Sequence, residues 1–174
     1  MIKNNELSSY IDIKNSVFNN NKARAFGGAI CSSLKNYYFT NTKFEDNKAD
    51  VAGGVLFLNN EIINEKDIIT INRDNVFVNK NTARSYGNEY ASYPSQVILQ
   101  KGTYNVTIYS GGAIFLSFKV IDYFGSKVMD ISRYFDDLSL LIEVTPELRN
   151  DTYFLQGNKN LFINGNTFIQ YNNY

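Results

Sequence analysis

Acidic and basic side chains are the residues of this 174-residue chain best suited to chemistry. Glu45, Asp46 and Asp50 could supply carboxylates, and Arg24 or Arg84 could supply a cation beside them. Two carboxylates at a working separation can hydrolyse a glycosidic bond, and clustered carboxylates can hold calcium. These residues are therefore the candidates to weigh for carboxylate-based hydrolysis or calcium binding.

Composition excludes most other catalytic chemistry. The chain has no histidine, which removes Ser-His-Asp and Cys-His nucleophiles and the common zinc sites. The lone Cys31 cannot form an internal disulfide or a multi-cysteine metal site. It follows Gly27-Gly28 in an apolar stretch, so we expect a small buried hydrophobe and not a reactive thiol. The glycine pairs are not followed by Lys-Ser/Thr, so no phosphate-binding loop is predicted.

The charge balance argues against nucleic acid and anionic membranes as partners. The 17 basic and 17 acidic residues cancel, and the isoelectric point is near 6.3. Residues 1–6 are polar and carry no apolar segment typical of a signal peptide. No apolar run approaches the length of a membrane span. We expect a soluble segment without a membrane span, and no metal or cofactor.

A phrase of eight residues occurs three times, at 21–28, 47–54 and 81–88. Each copy has Asn first, Ala two places later and Gly six places later, and an apolar residue precedes the Asn by three places. The recurring positions are Asn21, Ala23, Gly27, Gly28, Asn47, Ala49, Gly53, Gly54, Asn81, Ala83 and Gly87. Repetition at a few tens of residues is typical of stacked coils.

Each recurring residue has a structural interpretation. The apolar residue (Phe18, Phe44 or Val78) points into the coil, and the Asn lies at a corner, where it can hydrogen-bond to the Asn of the next coil. The Ala is small because the interior narrows near the corner. The glycines allow positive φ and close approach of the neighbouring backbone. Asn88, in place of the second Gly, is interpreted as the next most tolerant residue for that conformation.

The same register predicts a column of alternating charge. Arg24, Asp50 and Arg84 each follow their Asn by three places, so stacked coils bring them about 4.8 Å apart. Such exposed pairs stabilise by a few tenths of a kcal/mol. No two equivalent positions on adjacent coils are both acidic, so stacking does not assemble a carboxylate cluster. We therefore expect a structural column and no enzyme.

The phrases begin 26 and 34 residues apart, which predicts an eight-residue outward loop at 59–66. A coil of this length holds three short strands and three corners, since strands are usually about 4–6 residues long. The run Tyr37–Phe39 is interpreted as aromatic rungs inside a coil in preference to a sugar-stacking surface. Coil strands are predicted at 11–13, 17–18, 29–30, 37–39, 55–58, 68–71 and 76–78.

After Gly87 the pattern changes. Residues 93–95 are interpreted as a linker, and alternation from Val97 onward predicts an antiparallel, sandwich-like domain. Turns are predicted at 111–112, at 122–125 and at Asn164-Gly165, the last within a hairpin. Residues 131–137 are predicted to be a short helical or irregular link. The predicted domains are thus 1–94 and 95–174, and we expect the second to be incomplete.

Two parts of the phrase resemble a known family. Phe18-x-x-Asn21-x-Ala23 followed by Gly27-Gly28-Ala29-Ile30 resembles the FxxN and GGAI motifs of the polymorphic outer-membrane protein repeats of chlamydiae. Residues 83–94 are similar to large surface or transmembrane proteins of ciliated protists. The resemblance covers about residues 13–94 and, more loosely, the strand after Gly112. Val55-Leu56 and Val78 depart from it.

The resemblance implies a right-handed parallel β-helix of the pectin-lyase type, with about three coils. It implies a non-catalytic structural or adhesive module of a membrane-associated cell-surface or extracellular protein, and no catalytic residues. The alternatives are an accessory subunit of a larger assembly and a fragment of a polysaccharide lyase or glycosidase, because the fold hosts both.

Partners are expected at the ends of the stack. Both ends of a coil stack expose strand edges, so we expect protein partners or self-association there, and carbohydrate is a further candidate ligand. Two sequons, at Asn105 and Asn150, are consistent with a secreted glycoprotein.

Overall fold

The computed structural model describes residues 9–60, 68–101, 113–131, 133–135, 138–141 and 159–172. Over these ranges the chain is all-β, as predicted, with seventeen strands and no helix. The first twelve strands pair in parallel, and the last five pair antiparallel. The two pairing modes divide the chain near residue 93.

The twelve parallel strands arise from three successive passes of the chain, which we call coils. The first coil contains β1 (Tyr10–Lys14), β2 (Val17–Asn19), β3 (Lys22–Ala23) and β4 (Ile30–Ser32). The second contains β5 (Asn36–Thr40), β6 (Lys43–Glu45), β7 (Lys48–Ala49) and β8 (Leu56–Leu58). The third contains β9 (Thr70–Asp74), β10 (Phe77–Asn79), β11 (Thr82–Ala83) and β12 (Tyr90–Ser92). The prediction of three strands per coil is wrong, because the phrase itself adds a two-residue strand before its glycines.

Corresponding strands of successive coils pair to give four three-stranded parallel sheets, an arrangement that suggests a short β-helix. The register is the one that the phrase predicts: Phe44 pairs with Phe18 on one side and with Val78 on the other. The two phenylalanine rings stack with centroids 5.0 Å apart. The phrase alanines align in the same way: Ala23, Ala49 and Ala83.

Large side chains fill the interior of the coils. Tyr37, Phe39 and Phe44 are fully buried there beside Leu56 and Leu58. The prediction of interior aromatic rungs is confirmed for Tyr37 and Phe39, but it is wrong for Tyr38. That side chain is 40% exposed, because successive residues of a strand face opposite sides of the sheet.

The corner before each phrase differs from the prediction in one respect. The left-handed residue is the one before the phrase asparagine: Asn20, Asp46 and Lys80 have φ of 56°, 53° and 53°. The phrase asparagines themselves do not have positive φ. The left-handed conformation predicted at the glycines is confirmed at Gly27, Gly53 and Gly87, with φ of 66°, 73° and 67°.

The second glycine of the phrase serves the stacking of coils. A Cβ on Gly28 would collide with the carbonyl oxygen of Gly54, and a Cβ on Gly54 would collide with that of Asn88. Asn88 itself does not have positive φ, so its interpretation as a conformationally tolerant residue is wrong. A side chain fits at Asn88 because the described residues place no fourth coil against it.

The remaining strands form two antiparallel sheets. One contains β13 (Pro94–Lys101), β14 (Ala113–Asp122) and, after two further strands, β17 (Asn166–Asn172); the other pairs β15 (Ser139–Leu141) with β16 (Lys159–Leu161). The predicted linker at 93–95 is wrong from Pro94 onward, because Pro94 already pairs with Asp122. Pro94 is accommodated as the first residue of its strand, where no ladder donor is needed.

Both predicted turns that fall on described residues are present. Gly125 N donates to Asp122 O at 3.0 Å. Asn164 and Gly165 have φ of 49° and 69°, and Ile163 bridges Asn166 across them. Residues 131 and 133–135 are irregular, without helix. The predicted turn at 111–112 and most of the predicted loop at 59–66 lie outside the described residues.

A second hydrophobic core joins the coils to the antiparallel part. Phe57 in β8 points away from the coil interior and is fully buried against Phe26 and Tyr93, with ring centroids 4.1 and 5.2 Å away. Val120 and Val128 belong to the same cluster. All four residues from Val55 to Leu58 are therefore buried, which explains why all four are apolar.

Candidate functional site

The residues that could have done acid–base chemistry do not form a carboxylate cluster. Glu45 is paired with Lys43 at 2.6 Å and accepts from Asn79 at 3.4 Å. The hydrogen bond from Lys43 is the main cause that lowers the pKa of the Glu45 carboxyl. Asp46 occupies a left-handed corner. Within the described ranges no group of three or more His, Cys, Asp or Glu side chains could hold a metal ion.

The column of Arg24, Asp50 and Arg84 has the backbone register that its sequence spacing predicts. Asp50 N donates to Ala23 O at 3.0 Å, and Arg84 N donates to Ala49 O at 3.1 Å. The three positions thus follow one another from coil to coil. Ion pairing between their side chains stays a prediction.

The phrase asparagines form a continuous hydrogen-bonded ladder through the stack. Asn47 Oδ1 accepts from both the backbone N and the Nδ2 of Asn21, at 3.1 and 2.8 Å. Asn81 Oδ1 accepts in the same way from Asn47, at 3.0 and 2.9 Å. The Nδ2 groups of Asn47 and Asn81 also donate to the carbonyl of the apolar residue in the preceding coil. Asn47 donates to Phe18 O and Asn81 donates to Phe44 O, both at 2.9 Å.

This ladder accounts for why the position is Asn. Asn47 is fully buried, and a buried amide is costly unless its donors and acceptor are paired. One side chain supplies an acceptor for two N–H groups and two donors for different oxygens, so Asn satisfies both neighbouring coils at once. The prediction of Asn stacked on Asn is thus matched by the hydrogen bonds.

A second asparagine ladder runs along another corner and was missed from the sequence. Asn41 Nδ2 donates to Asn15 Oδ1 at 3.2 Å, and Asn75 Nδ2 donates to Asn41 Oδ1 at 2.8 Å. All three have left-handed backbone, with φ of 49°, 48° and 51°. Their spacing is the same 26 and 34 residues as that of the phrases, a signal by which they could have been found.

Cys31 is exposed, so its prediction as a small buried hydrophobe is wrong. It pairs with Phe57 in register and therefore faces outward. The aromatic cluster covers Phe57 on this face but leaves Cys31 exposed. Partial burial still raises the pKa of the Cys31 thiol. A raised pKa leaves little thiolate at neutral pH, which does not favour a catalytic nucleophile.

A buried carboxyl ties the third coil to the antiparallel sheet. Asp122 accepts from Ser92 N at 3.1 Å and from Ser126 N at 2.7 Å, and it is almost completely buried. Desolvation outweighs these hydrogen bonds and raises its pKa to about 6. Tyr86 donates nearby to Ser92 O at 2.7 Å, and burial strongly raises the pKa of its hydroxyl.

The two ends of the stack differ in chemistry. At the third coil, Arg73 takes the register position that Ile13 and Phe39 occupy in the other coils. Its guanidinium lies 5.7 Å from the Tyr90 ring centroid and 3.9 Å from a Glu89 carboxylate oxygen. A cation thus replaces an apolar side chain where the interior ends, as expected of a terminal repeat.

The turn at 122–125 completes this closure. Phe124 packs against the interior core, with its ring centroid 5.9 Å from that of Tyr90. The Tyr123 hydroxyl accepts from Ile69 N at 3.2 Å, and Asn88 Oδ1 accepts from Ala83 N at 3.0 Å. We call the set Arg73, Asn88, Tyr123 and Phe124 the closed end.

The first coil carries none of these features among the residues that the structure describes. Its interior positions are Ile11, Ile13, Phe18 and Ile30, which pack on the core yet are only partly buried. Asn21 at the head of the ladder is exposed, whereas Asn47 is fully buried. We call this edge, formed by β1 to β4, the open end.

The outer face of the first sheet presents an aromatic pair. Tyr10 and Tyr38 are 60% and 40% exposed, with ring centroids 5.8 Å apart in an edge-to-face arrangement. Asp12 and Asn72 flank Tyr38 in register and are exposed. Aromatic rings can stack on the apolar face of a sugar ring, and a neighbouring carboxylate or amide can hydrogen-bond to the sugar hydroxyls.

The remaining predictions concern glycans and membranes. The sequon residues Asn105 and Asn150 lie outside the described residues. In the described ranges no helix has the length and apolar character needed to cross a membrane.

No protein-family model matches the chain, and no curated protein or solved structure matches it. The resemblance in the phrase therefore remains a resemblance, and function is inferred from geometry.

Proposed function

We propose that the chain is a non-catalytic structural or adhesive module of a cell-surface or extracellular protein. In this proposal the three coils form a short right-handed parallel β-helix, and the antiparallel sheets form a small sandwich-like domain packed on it. The observation that supports it most is the asparagine ladder through Asn21, Asn47 and Asn81. The repeated residues are engaged in hydrogen bonds and close packing between coils, and none is held ready for a substrate.

Assays of polysaccharide cleavage test the non-catalytic part. The full chain is incubated with neutral and acidic polysaccharides, with and without calcium, and new reducing ends and unsaturated products are measured. We expect no product, because the candidate carboxylates lack a second acidic partner on adjacent coils. Product formation that Asp50→Ala abolishes would contradict the proposal and support the alternative of a carbohydrate-active enzyme fragment.

The site of action is tested on protein isolated from its own cells. Treatment with an endoglycosidase that removes N-glycans is expected to lower the apparent mass if Asn105 or Asn150 is glycosylated. Surface labelling of intact cells with a membrane-impermeant reagent tests exposure directly. A chain that is neither labelled nor glycosylated would favour an accessory subunit of an internal assembly.

Carbohydrate binding is a second candidate function, favoured by the exposed Tyr10–Tyr38 pair. Binding of labelled oligosaccharides is measured for the full chain and for Tyr38→Ala. Phe77→Ala, at another exposed ring, is the matched control. Binding lost in the first variant and kept in the second would support adhesion through sugars, whereas equal binding by both variants would exclude this face.

A further inference from the structure

Building on the structural role proposed above, we propose that the open end is a docking site for one further coil of polypeptide. The occupant runs parallel to β1–β4 and carries the same apolar-x-x-Asn phrase. It belongs to another protein chain with the same type of repeat. The coil–coil interfaces within the chain show which chemistry such a partner must supply.

The ladder specifies the hydrogen bonds of that partner. Asn47 Oδ1 accepts two N–H groups from Asn21, and Asn47 Nδ2 donates to Phe18 O in the preceding coil. Asn21 makes the bonds toward the following coil, but the described residues offer no partner on its other side. A preceding Asn would supply the two donors for Asn21 Oδ1, and the apolar residue three places before it would supply the carbonyl.

The second ladder also requires a hydrogen-bond partner from a preceding coil, at another corner. Each of its asparagines donates through Nδ2 to the coil before it: Asn75 to Asn41, and Asn41 to Asn15. No described residue accepts the corresponding proton of Asn15. A coil in the same register would place an acceptor there, so two corners agree on the direction in which the stack continues.

The interior of the first coil is also suited to a neighbour. Ile11, Ile13 and Phe18 are partly buried, whereas the equivalent Tyr37, Phe39 and Phe44 of the second coil are almost fully buried. A further coil would cover the first three as the first coil covers the second. Removing apolar surface from water is favourable, so burial of these three side chains would stabilise the docked coil.

A second copy of this chain cannot supply these hydrogen bonds and apolar contacts by stacking in parallel. Parallel stacking would bring its third coil onto the open end, and that coil is closed by Arg73, Asn88 and Phe124. The Cβ of Asn88 stands where the glycines at Gly28 and Gly54 leave space for the next carbonyl. Two copies can meet only open end to open end, which pairs strands antiparallel and places the ladders out of register.

A duplicated coil in the full chain tests the proposal. A second copy of residues 10–35, inserted directly before Tyr10, keeps the 26-residue offset at which Tyr10 pairs with Asn36. Amide hydrogen exchange of the original first coil is compared with and without the insert. We expect exchange at residues 10–32 to slow by about tenfold or more, because edge strands open more easily than covered ones.

Two controls make the outcome specific. The same insert carrying Asn21→Leu in the added copy keeps its apolar residues but lacks the ladder, and it is expected to lose most of the protection. The second control is the native chain mixed with a synthetic peptide of residues 10–35, which is expected to slow the same amides because the proposed occupant is a separate chain.

The overturning results are distinct from those that would refute the structural role. Unchanged exchange at residues 10–32 in both experiments would overturn the docking site while leaving the absence of catalysis untouched. Self-protection of residues 10–32 in the concentrated native chain that is as strong as the protection given by the insert would identify a second copy as the occupant and would also overturn the proposal. Polysaccharide cleavage would refute the structural role without bearing on docking.

Discussion

At the scale of single residues, asparagine carries much of the organisation of the stack. Asn side chains link the coils at two corners, one ladder reaching into the interior and one lying at the surface. The interior ladder depends most on Asn47, because this buried amide must find hydrogen-bond partners in both neighbouring coils. A single defect there leaves polar groups of both neighbours without partners.

Asn47→Ala is therefore expected to destabilise the protein by about 2–4 kcal/mol, since it removes the acceptor of Asn21 and the donor to Phe18 O together. Urea unfolding, followed by circular dichroism, measures the change. Asn72→Ala, on the exposed face of β9, is the control and is expected to stay within about 0.5 kcal/mol of the native chain. An equal loss of unfolding free energy in both variants would show that the ladder contributes no more to stability than an exposed asparagine.

Asp122 gives the stability a distinctive pH dependence. Its pKa is raised to about 6 in the folded chain from an ordinary 3.8, so the folded state holds a proton that the unfolded chain releases. The resulting stability is complete below pH 3.8 and is lost as the pH rises through 6. Lowering the pH from 7.5 to 5.0 should therefore stabilise the protein by about 1 kcal/mol.

The absence of histidine isolates this effect, because no other side chain with an ordinary pKa titrates strongly in that window. Urea midpoints at the two pH values measure it. Asp122→Asn should remove the pH dependence, while lowering stability at both values because its amide NH₂ faces a backbone N–H donor from Ser92 or Ser126. A slope that survives in Asp122→Asn would assign the titration to another group.

At the scale of the coil, close stacking depends on the second glycine of the phrase. Gly28 and Gly54 leave space for the carbonyl of the next coil, and the neighbouring Gly27 and Gly53 supply the left-handed backbone. The pair thus combines two separate requirements, which explains why both positions recur together.

Gly28→Ala is expected to destabilise the stack by about 3 kcal/mol or more. The added Cβ would collide with backbone atoms of the next coil, which cannot move aside as a flexible side chain can. Gly125→Ala is the matched control: Gly125 has φ of 80° but open space around its Cβ position, so only backbone strain of about 1–2 kcal/mol is expected. Thermal unfolding of the two variants ranks them. A larger loss for Gly125→Ala would contradict the close-contact explanation.

The coil strands and their register could be predicted from the sequence because they follow from repetition. Once Asn21, Asn47 and Asn81 are aligned, the pairing of all neighbouring positions follows. The outward face of β8 could not be predicted, since Phe57 and Cys31 share one column and their different exposure depends on a segment distant in sequence. Tyr38 and Pro94 were misjudged for a similar reason: composition alone does not show which face of a strand is covered or where pairing begins.

The sequence also marks the end of the stack, although Asn88 alone suggests a conformationally tolerant residue and not a terminal coil. Asn88 breaks the second glycine of the phrase where no further coil follows among the described residues, and Arg73 breaks an apolar column at the same coil. The role of Phe124 could not be predicted, because it comes from a turn more than thirty residues further on.

At the scale of the whole molecule, the chain is asymmetric. The closed end is covered by charged and aromatic groups, and the open end presents apolar side chains and incomplete ladders. Stacked repeats need polar terminal coils to remain soluble, and this chain meets that need at one end of its described stack. Its association with other molecules should therefore be directional.

Without its partner coil, the chain is expected to associate only through the open end. Sedimentation velocity over a wide range of concentrations should show a monomer–dimer equilibrium that stops at the dimer, because an interface with two-fold symmetry closes on itself. Larger oligomers or filaments would require both ends to be open. A monomer at every concentration would show that the exposed edge does not associate.

Amide hydrogen exchange along the full chain tests most directly the claim that the coils form a stack with one closed and one open end. We expect the slowest exchange in the second coil, at residues 36–58, intermediate exchange in the third coil, at 70–92, and the fastest exchange in the first coil, at 10–32. The order follows from neighbours on both sides, a closed end and an open end, respectively. Exchange at 10–32 as slow as at 70–92, or a second coil no better protected than either, would contradict it.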